Sequence, residues 1–259
     1  LEEHELVPAL QDAVANPLAS VTIDSPPCQE VVYDNPDLTK LLPIPTHNEH
    51  DSGPYITAGL AITRNPRTGI QNVAIHRLQL SGRNELGALL LPRHTLSFFE
   101  AVEQDGGDLD IAIVIGTSPA TLLASQAVVP IDYDELEIAG ALGGAPLKVA
   151  TCIDSNIRVP AAAEIILEGK ILANTRAPEG PFGEFPQYYG ERANNHVIRI
   201  NKVTHRKRPI FHTIVGGGLE HLLLGAIPRE TTILSTLQRN FTCVRNVFLT
   251  MGGVCRYHL

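Results

Sequence analysis

No apolar run in the 259 residues approaches the ~20 that a membrane helix needs. The opening Leu1-Glu2-Glu3-His4-Glu5 offers neither a basic nor an apolar leader region. Basic residues are outnumbered, 20 against 28 acidic, and the formal charge of −8 has the wrong sign for neutralising phosphates along a nucleic acid or an anionic lipid surface. Cys28, Cys152, Cys243 and Cys255 form no C-x-x-C pair, so spacing suggests neither a zinc ribbon nor a disulfide framework, and they read as buried or incidental thiols. There is no internal repeat, no low-complexity tract and no G-x-S-x-G elbow to seat a hydrolase serine. What remains, 44% apolar and 19% charged residues, lies far from the disordered corner of composition. The expectation is a globular, soluble, cytoplasmic protein with no nucleic-acid or membrane partner. An initiator methionine is also absent, and Val254–Leu259 alternates like the middle of a strand, which predicts an excerpt of a longer chain.

Leu6, Leu10 and Val14 at helical spacing predict a leading helix over 3–15. Pro26-Pro27, Pro36, Pro43 and Pro45 then break the chain into an extended arm, so 1–45 is read as helix plus arm and 46–259 as the main domain. Strands are predicted at 55–63 and 71–80, joined by the turn-forming 64–69, and at 88–91, 109–115, 146–152, 164–173, 196–204, 210–215 and 243–250. Helices are predicted at 95–104, 117–126, 133–142 and 229–239. Strands outnumber helices and a hairpin at 206–209 favours antiparallel pairing. A closed or partly closed barrel with helices on it, α+β but mainly β, therefore fits better than a doubly wound sheet.

Several motifs have bland readings. The two histidines of His47-Asn48-Glu49-His50-Asp51 stand three apart among prolines, not four apart on a helix as in a metalloprotease, and read as a polar loop. Gly216-Gly217-Gly218 lacks the spacing of a phosphate-binding fingerprint. The basic run His205–Arg208 reads as a solvated hairpin tip. Ala177-Pro178-Glu179-Gly180-Pro181-Phe182-Gly183-Glu184 is different in kind. Two prolines and two glycines exclude a helix or a regular strand, and the stiff loop holds two carboxylates five residues apart, an arrangement suited to a proton donor beside a group that tunes it. A surface loop with exposed acids stays open, although Phe182 between them argues for burial.

Pro178–Glu184 resembles the loop of the UbiD-like decarboxylases, which use prenylated FMN to remove carboxylate from aromatic, heteroaromatic and other α,β-unsaturated acids. The resemblance extends through Asn72–Arg77, Leu91–His94, Asp134–Leu142, and Arg158–Pro160 with Ala163–Ile165, in the family's order, over roughly 50–259. It implies a split antiparallel barrel of the FMN-binding type. It also implies Asn72, His94 and Glu137 as ligands of a divalent ion, manganese or magnesium, that ties the flavin phosphate to the protein. An amide oxygen, an imidazole and a carboxylate suit an octahedral ion of that kind rather than tetrahedral zinc. Potassium near Glu137 is a further implied ion. Asn72, Ala74, Ile75, His76, Arg77, Arg93, His94 and Glu137 are the implied cofactor contacts, with Arg93 equally readable as a surface arginine and His76 as a hydrogen-bonded barrel histidine.

Arg77, Glu179 and Glu184 match the family's catalytic trio, Glu184 as proton donor and the Glu179–Arg77 ion pair beside it. Alternation would send Asn72 and Arg77 to opposite faces of one strand, so a bulge or strand end is expected between them. A flavin prenyltransferase as cofactor source and a homodimer or higher homo-oligomer are implied as well. A non-catalytic flavin-binding or carrier module, and an FMN-dependent oxidoreductase on a similar barrel, are the alternatives. A pure binder has no need of all three trio residues, and no nicotinamide fingerprint is present.

Overall fold

A computed structural model describes residues 3–256. The chain begins with α1 (Glu3–Ala15), β1 (Val21–Thr22), β2 (Val31–Asp34) and α2 (Leu38–Leu41). Five short strands follow: β3 (Tyr55–Ile56), β4 (Leu60–Arg64), β5 (Gln71–Ile75), β6 (Leu78–Leu80) and β7 (Glu85–Ala88). Next come α3 (His94–Glu103), β8 (Leu109–Ile115), α4 (Pro119–Ala124), α5 (Glu135–Leu142), β9 (Lys148–Thr151) and β10 (Arg158–Pro160). The last part holds β11 (Ile165–Glu179), β12 (Phe182–Gly183), β13 (Tyr189–Gly190), β14 (Ala193–His205) and α6 (Leu219–Gln238).

Nine strands form one antiparallel sheet in the order β3-β6-β7-β14-β11-β8-β4-β5, with β2 also on β14. This is the expected mainly-β, α+β split barrel. Its centre is apolar on both faces, and β8 shows why. Leu109, Ile111, Ile113 and Ile115 enter one core with Phe98 and Phe99 of α3, while Ala112 and Val114 enter a second with Leu122 and Leu136 of α4 and α5. A strand covered on both sides needs a continuous apolar run, and Ile111-Ala112-Ile113-Val114-Ile115 provides it, with Asp110 half-buried near the strand's start. Each such side chain contributes about 1.5–3 kcal/mol by leaving water.

The two longest strands, β11 and β14, pair along the spine with register shifts at Glu168/Gly169 and between Ile171 and Arg176. At the first shift the strands approach so closely that a Cβ on Gly169 would lie 2.1 Å from the Arg199 carbonyl oxygen, which leaves glycine as the residue that fits. The second shift lets pairing resume at Arg176–Glu179 against Ala193–His196. Pro178 and Glu179 are therefore strand residues. The expectation of a loop that is no regular strand holds only for the break at Gly180-Pro181, because the sequence carries no mark of the bulge that re-registers the strand.

Other differences have local causes. The arm is not merely extended, since β1 pairs with β9 and β2 with β14. The stretches 210–215 and 243–250 are irregular rather than strands, and the hairpin expected at 206–209 leads out of the sheet. The described part of the C-terminal segment, 254–256, is a turn and not a strand; 257–259 lie outside the described residues. Helix α6 starts ten residues earlier than expected and runs through Pro228, and the next residue, Arg229, donates its side chain to the Gly225 carbonyl. No helix among the described residues is long and apolar enough to cross a membrane.

Candidate active site

Strand β5 ends at Ile75 and β6 begins at Leu78, so His76 and Arg77 sit in the gap between a strand paired to β4 and one paired to β3 and β7. The expected strand end between Asn72 and Arg77 is present, and it lets one segment serve two corners of the site.

At the first corner the Arg77 guanidinium lies between the two acids. Its Nη2 donates to Glu179 Oε2 at 2.8 Å and its Nη1 donates to Glu184 Oε1. Glu179, at the end of β11, has no exposed surface. Its Oε1 accepts from the Tyr55 hydroxyl at 2.9 Å and its Oε2 also from Asn195 Nδ2 at 2.7 Å. Glu184 is held differently: its side chain is 34% exposed, and Arg77 is its side-chain donor. Phe182 is buried, as expected, with its ring 4.5 Å from that of Tyr55 and the Arg77 guanidinium over it at 5.6 Å. Burial by itself would lower the Arg77 value, but the Glu179 hydrogen bond and the charges of both glutamates outweigh it, and the net shift is upward. Burial pushes the Tyr55 hydroxyl up as well.

The loop carrying the acids is fixed from outside. Gly180, at φ +90, turns the chain where a Cβ would lie 2.8 Å from the Glu191 carbonyl oxygen, and its N–H donates to Gln79 Oε1. The loop at 47–51 is polar, as expected, and serves as a brace: Asp51 accepts from the Gly183 N–H at 2.8 Å and the Ser52 N–H donates to the Pro181 carbonyl.

At the second corner, buried Asn72 on β5 and His94 at the start of α3 meet, with His94 Nδ1 3.0 Å from Asn72 Oδ1. Thr95 is next to them, accepting from Asn72 Nδ2. Glu137 lies on α5, half-buried, and among the described residues no hydrogen bond joins its side chain to Asn72 or His94. Its helix is nevertheless locked to β5, because Glu135 Oε2 accepts from the Val73 N–H at 2.8 Å. Burial raises the Glu135 carboxyl to about 8. Burial and then the Arg93 charge lower His94. Ala74 and Ile75 are half-buried on β5, Arg93 is exposed at the N-cap of α3, and His76 bonds to Thr95 Oγ1, its value held near 4 by burial and His196.

All three trio residues and two of the three expected metal ligands are thus brought together. Sequence reasoning missed Tyr55, Asn195, Gln79, Thr95 and Glu135. Tyr55, Gln79, Thr95 and Glu135 lie in predicted strands or helices, and Glu135 in a family-like block, but those signals speak of elements and not of their part in the site; Asn195 lies in none.

Residues 20–219 match the family model described as the 3-octaprenyl-4-hydroxybenzoate carboxy-lyase Rift-related domain, UbiD. An anhydromevalonate phosphate decarboxylase of Methanothermobacter thermautotrophicus is 38% identical over 98% of this chain and 59% of its own length. Its counterpart from Methanosarcina mazei is 42% identical over 90% and 54%. Among solved structures, the UbiD-class enzyme HmfF from Pelotomaculum thermopropionicum in complex with prFMN, an evolved dimeric form, superposes with a TM-score of 0.97 at 49% identity, over 98% of this chain and 60% of that one. Apo 3,4-dihydroxybenzoic acid decarboxylase of Klebsiella pneumoniae gives 0.91 at 32%, over 98% and 56%. The chain spans little more than half the length of the proteins it matches. With the family model over most of its length and an assembled Arg-Glu-Glu corner, this chain belongs to the UbiD family.

Proposed function

We propose that this chain carries the cofactor and proton-transfer site of a prFMN-dependent carboxy-lyase that decarboxylates an α,β-unsaturated acid non-oxidatively and reversibly. The observation that supports it most is the arginine clamped between a fully buried glutamate and an accessible one. The relatives' names include a dihydroxybenzoic acid and an anhydromevalonate phosphate, so the substrate class reaches from aromatic and heteroaromatic acids to non-aromatic ones.

The residues fit the cofactor. Asn72 and His94 already turn an amide oxygen and an imidazole nitrogen toward each other, a donor set for Mn²⁺ or Mg²⁺. Arg77 Nε, buried, has no partner among the described residues, as befits a group waiting for a ligand. In this reading Asn72, His94 and Glu137 hold the divalent ion and through it the flavin phosphate. Arg93 stands beside His94 at the same phosphate, with Ala74, Ile75, His76 and Arg77 on the flavin side and potassium near Glu137. When bound, prFMN supplies the electron sink for the pair released as CO₂ leaves.

The protein's share is proton handling. Glu184 delivers a proton to the carbon that loses CO₂, and its exposure lets it leave Arg77 to do so. Arg77 keeps its place during that exchange because Glu179 holds the opposite nitrogen, while Tyr55 and Asn195 hold Glu179. A cytoplasmic homo-oligomer supplied by a flavin prenyltransferase completes the reading.

The test is a panel of unsaturated acids, aromatic and aliphatic, offered to protein loaded with oxidised prFMN and Mn²⁺, with CO₂ release followed. Turnover of at least one acid is expected. If none reacts and the product carbon of none exchanges with solvent deuterium, the reading fails and a flavin-binding module becomes the better account.

A further inference from the structure

The Thr95 hydroxyl is nearly inaccessible to solvent, at 2% exposure for the residue, and stands between two side chains from the other side of the site. Asn72 Nδ2 donates to it at 3.2 Å, and His76 Nε2 lies 3.1 Å away. An amide nitrogen has only protons to offer, so Thr95 Oγ1 accepts from Asn72 and its own proton is free for the imidazole nitrogen of a neutral His76. Asn72 is itself 5% exposed, and its Nδ2 has no water to turn to. With its nitrogen on Thr95, the carboxamide turns its oxygen toward His94 Nδ1 at 3.0 Å, the orientation in which it can offer that oxygen to a cation. Rotated by half a turn, the amide would present protons to His94 and to any cation held there.

We infer that Thr95 is a positioning residue whose hydroxyl fixes the Asn72 amide with its oxygen toward His94, setting up the oxygen ligand for the divalent cation. The inference rests on the proposed role of Asn72 and His94 as metal ligands. Thr95 touches neither cation nor substrate; it acts through Asn72. His76 completes the bridge, so the segment that leads into Arg77 is tied to the metal corner by one buried hydroxyl. The helix itself explains why a threonine can stand here, since position 95 lies in the first turn of α3, directly after His94, and faces β5.

The experiment titrates Mn²⁺ into purified protein in saturating FMN and reads the free ion by electron paramagnetic resonance, with thermal melts alongside. Thr95→Val keeps the shape and removes the hydroxyl, and should weaken Mn²⁺ binding about 10–100-fold, as loss of a ligand's orienting partner does, with the melt lowered only modestly for the buried amide and imidazole left without it. Thr95→Ser should bind like the parent. Should the valine variant fail to fold, Thr95→Ala puts the same question without a second methyl. His94→Ala separates the two levels of the argument. If it loses Mn²⁺ while Thr95→Val and Thr95→Ala bind like the parent, the positioning role is wrong and the metal site stands. If Thr95→Ser falls as far as Thr95→Val, the hydroxyl is not the operative group and the inference is overturned. If His94→Ala binds as tightly as the parent, the metal reading and this inference fall together.

Discussion

The two corners of the site share one strand and its broken end, yet they are finished to different degrees. Around Arg77 the protein supplies the partners of both terminal nitrogens itself, leaving only Nε without one among the described residues: two glutamates, a tyrosine and an asparagine close a network in which Glu179 has no contact with solvent. Around Asn72 the chain brings an amide and an imidazole together and stops, leaving Glu137 on a neighbouring helix. On the proposed function, geometry that must be right at the moment of proton transfer is built into the fold, where a buried charge without its partners would be costly. On that same proposal, geometry that an ion can organise is left for the ion to complete.

Removing the centre of the finished corner should do the most damage. Arg77→Ala leaves Glu179 buried without its counter-charge, which for a buried pair costs about 3–5 kcal/mol, and should abolish turnover too. Chemical denaturation and a decarboxylation assay check both, and an unchanged unfolding midpoint would contradict the closed network. At the unfinished corner, Glu137→Ala should weaken Mn²⁺ retention in the presence of FMN by at least ~10-fold while leaving the unfolding midpoint near that of the parent. A midpoint loss like that of Arg77→Ala would show that Glu137 is structural and erase the contrast between the corners.

Tyr55→Phe is a smaller probe. It deprives one Glu179 oxygen of its donor and should cost about 1–3 kcal/mol, with turnover reduced but present because Arg77 and Asn195 remain. The last probe is the pH dependence of Glu135, the strut between α5 and β5. Its folded value, about 8, lies above its ordinary one, so it binds its proton more tightly in the folded state. The stability this provides is complete below the unfolded value near 4.5 and is lost as pH rises through about 8. Glu135→Gln, which keeps an acceptor for the Val73 N–H, should therefore gain on the parent in melting temperature between pH 5 and 8. A constant difference across that range would refute it.

How much of this the sequence disclosed depends on the kind of signal. The two-sided apolar run of β8 and the amphipathic α3 and α5 announce themselves, because burial pattern and element type are the same fact there. The bulges of β11 do not, since a register shift depends on how closely β14 approaches, and so Pro178 and Glu179 looked like loop when they are strand. Helix α6 departs in the opposite direction: expected from 229, it begins at Leu219 and runs through Pro228, one lost backbone bond being too little to end a 20-residue helix. At the site, residue types with loud chemistry, Arg77, Glu179 and Glu184, were legible through the family pattern. Tyr55, Asn195 and Thr95 were not, because their work is to orient another side chain, and no spacing along the chain links position 195 to 179 or 95 to 72.

The measurement that bears most directly on the proton-transfer claim is exchange of solvent deuterium into the product carbon, followed by mass spectrometry, comparing parent and Glu184→Gln protein loaded with prFMN and Mn²⁺. The amide keeps the shape and a hydrogen bond to Arg77 but has no acid proton to give. Exchange and turnover should both fall by ~10²–10⁴-fold with the cofactor spectrum unchanged. Exchange at the parent rate with the cofactor in place would show that Glu184 is not the donor.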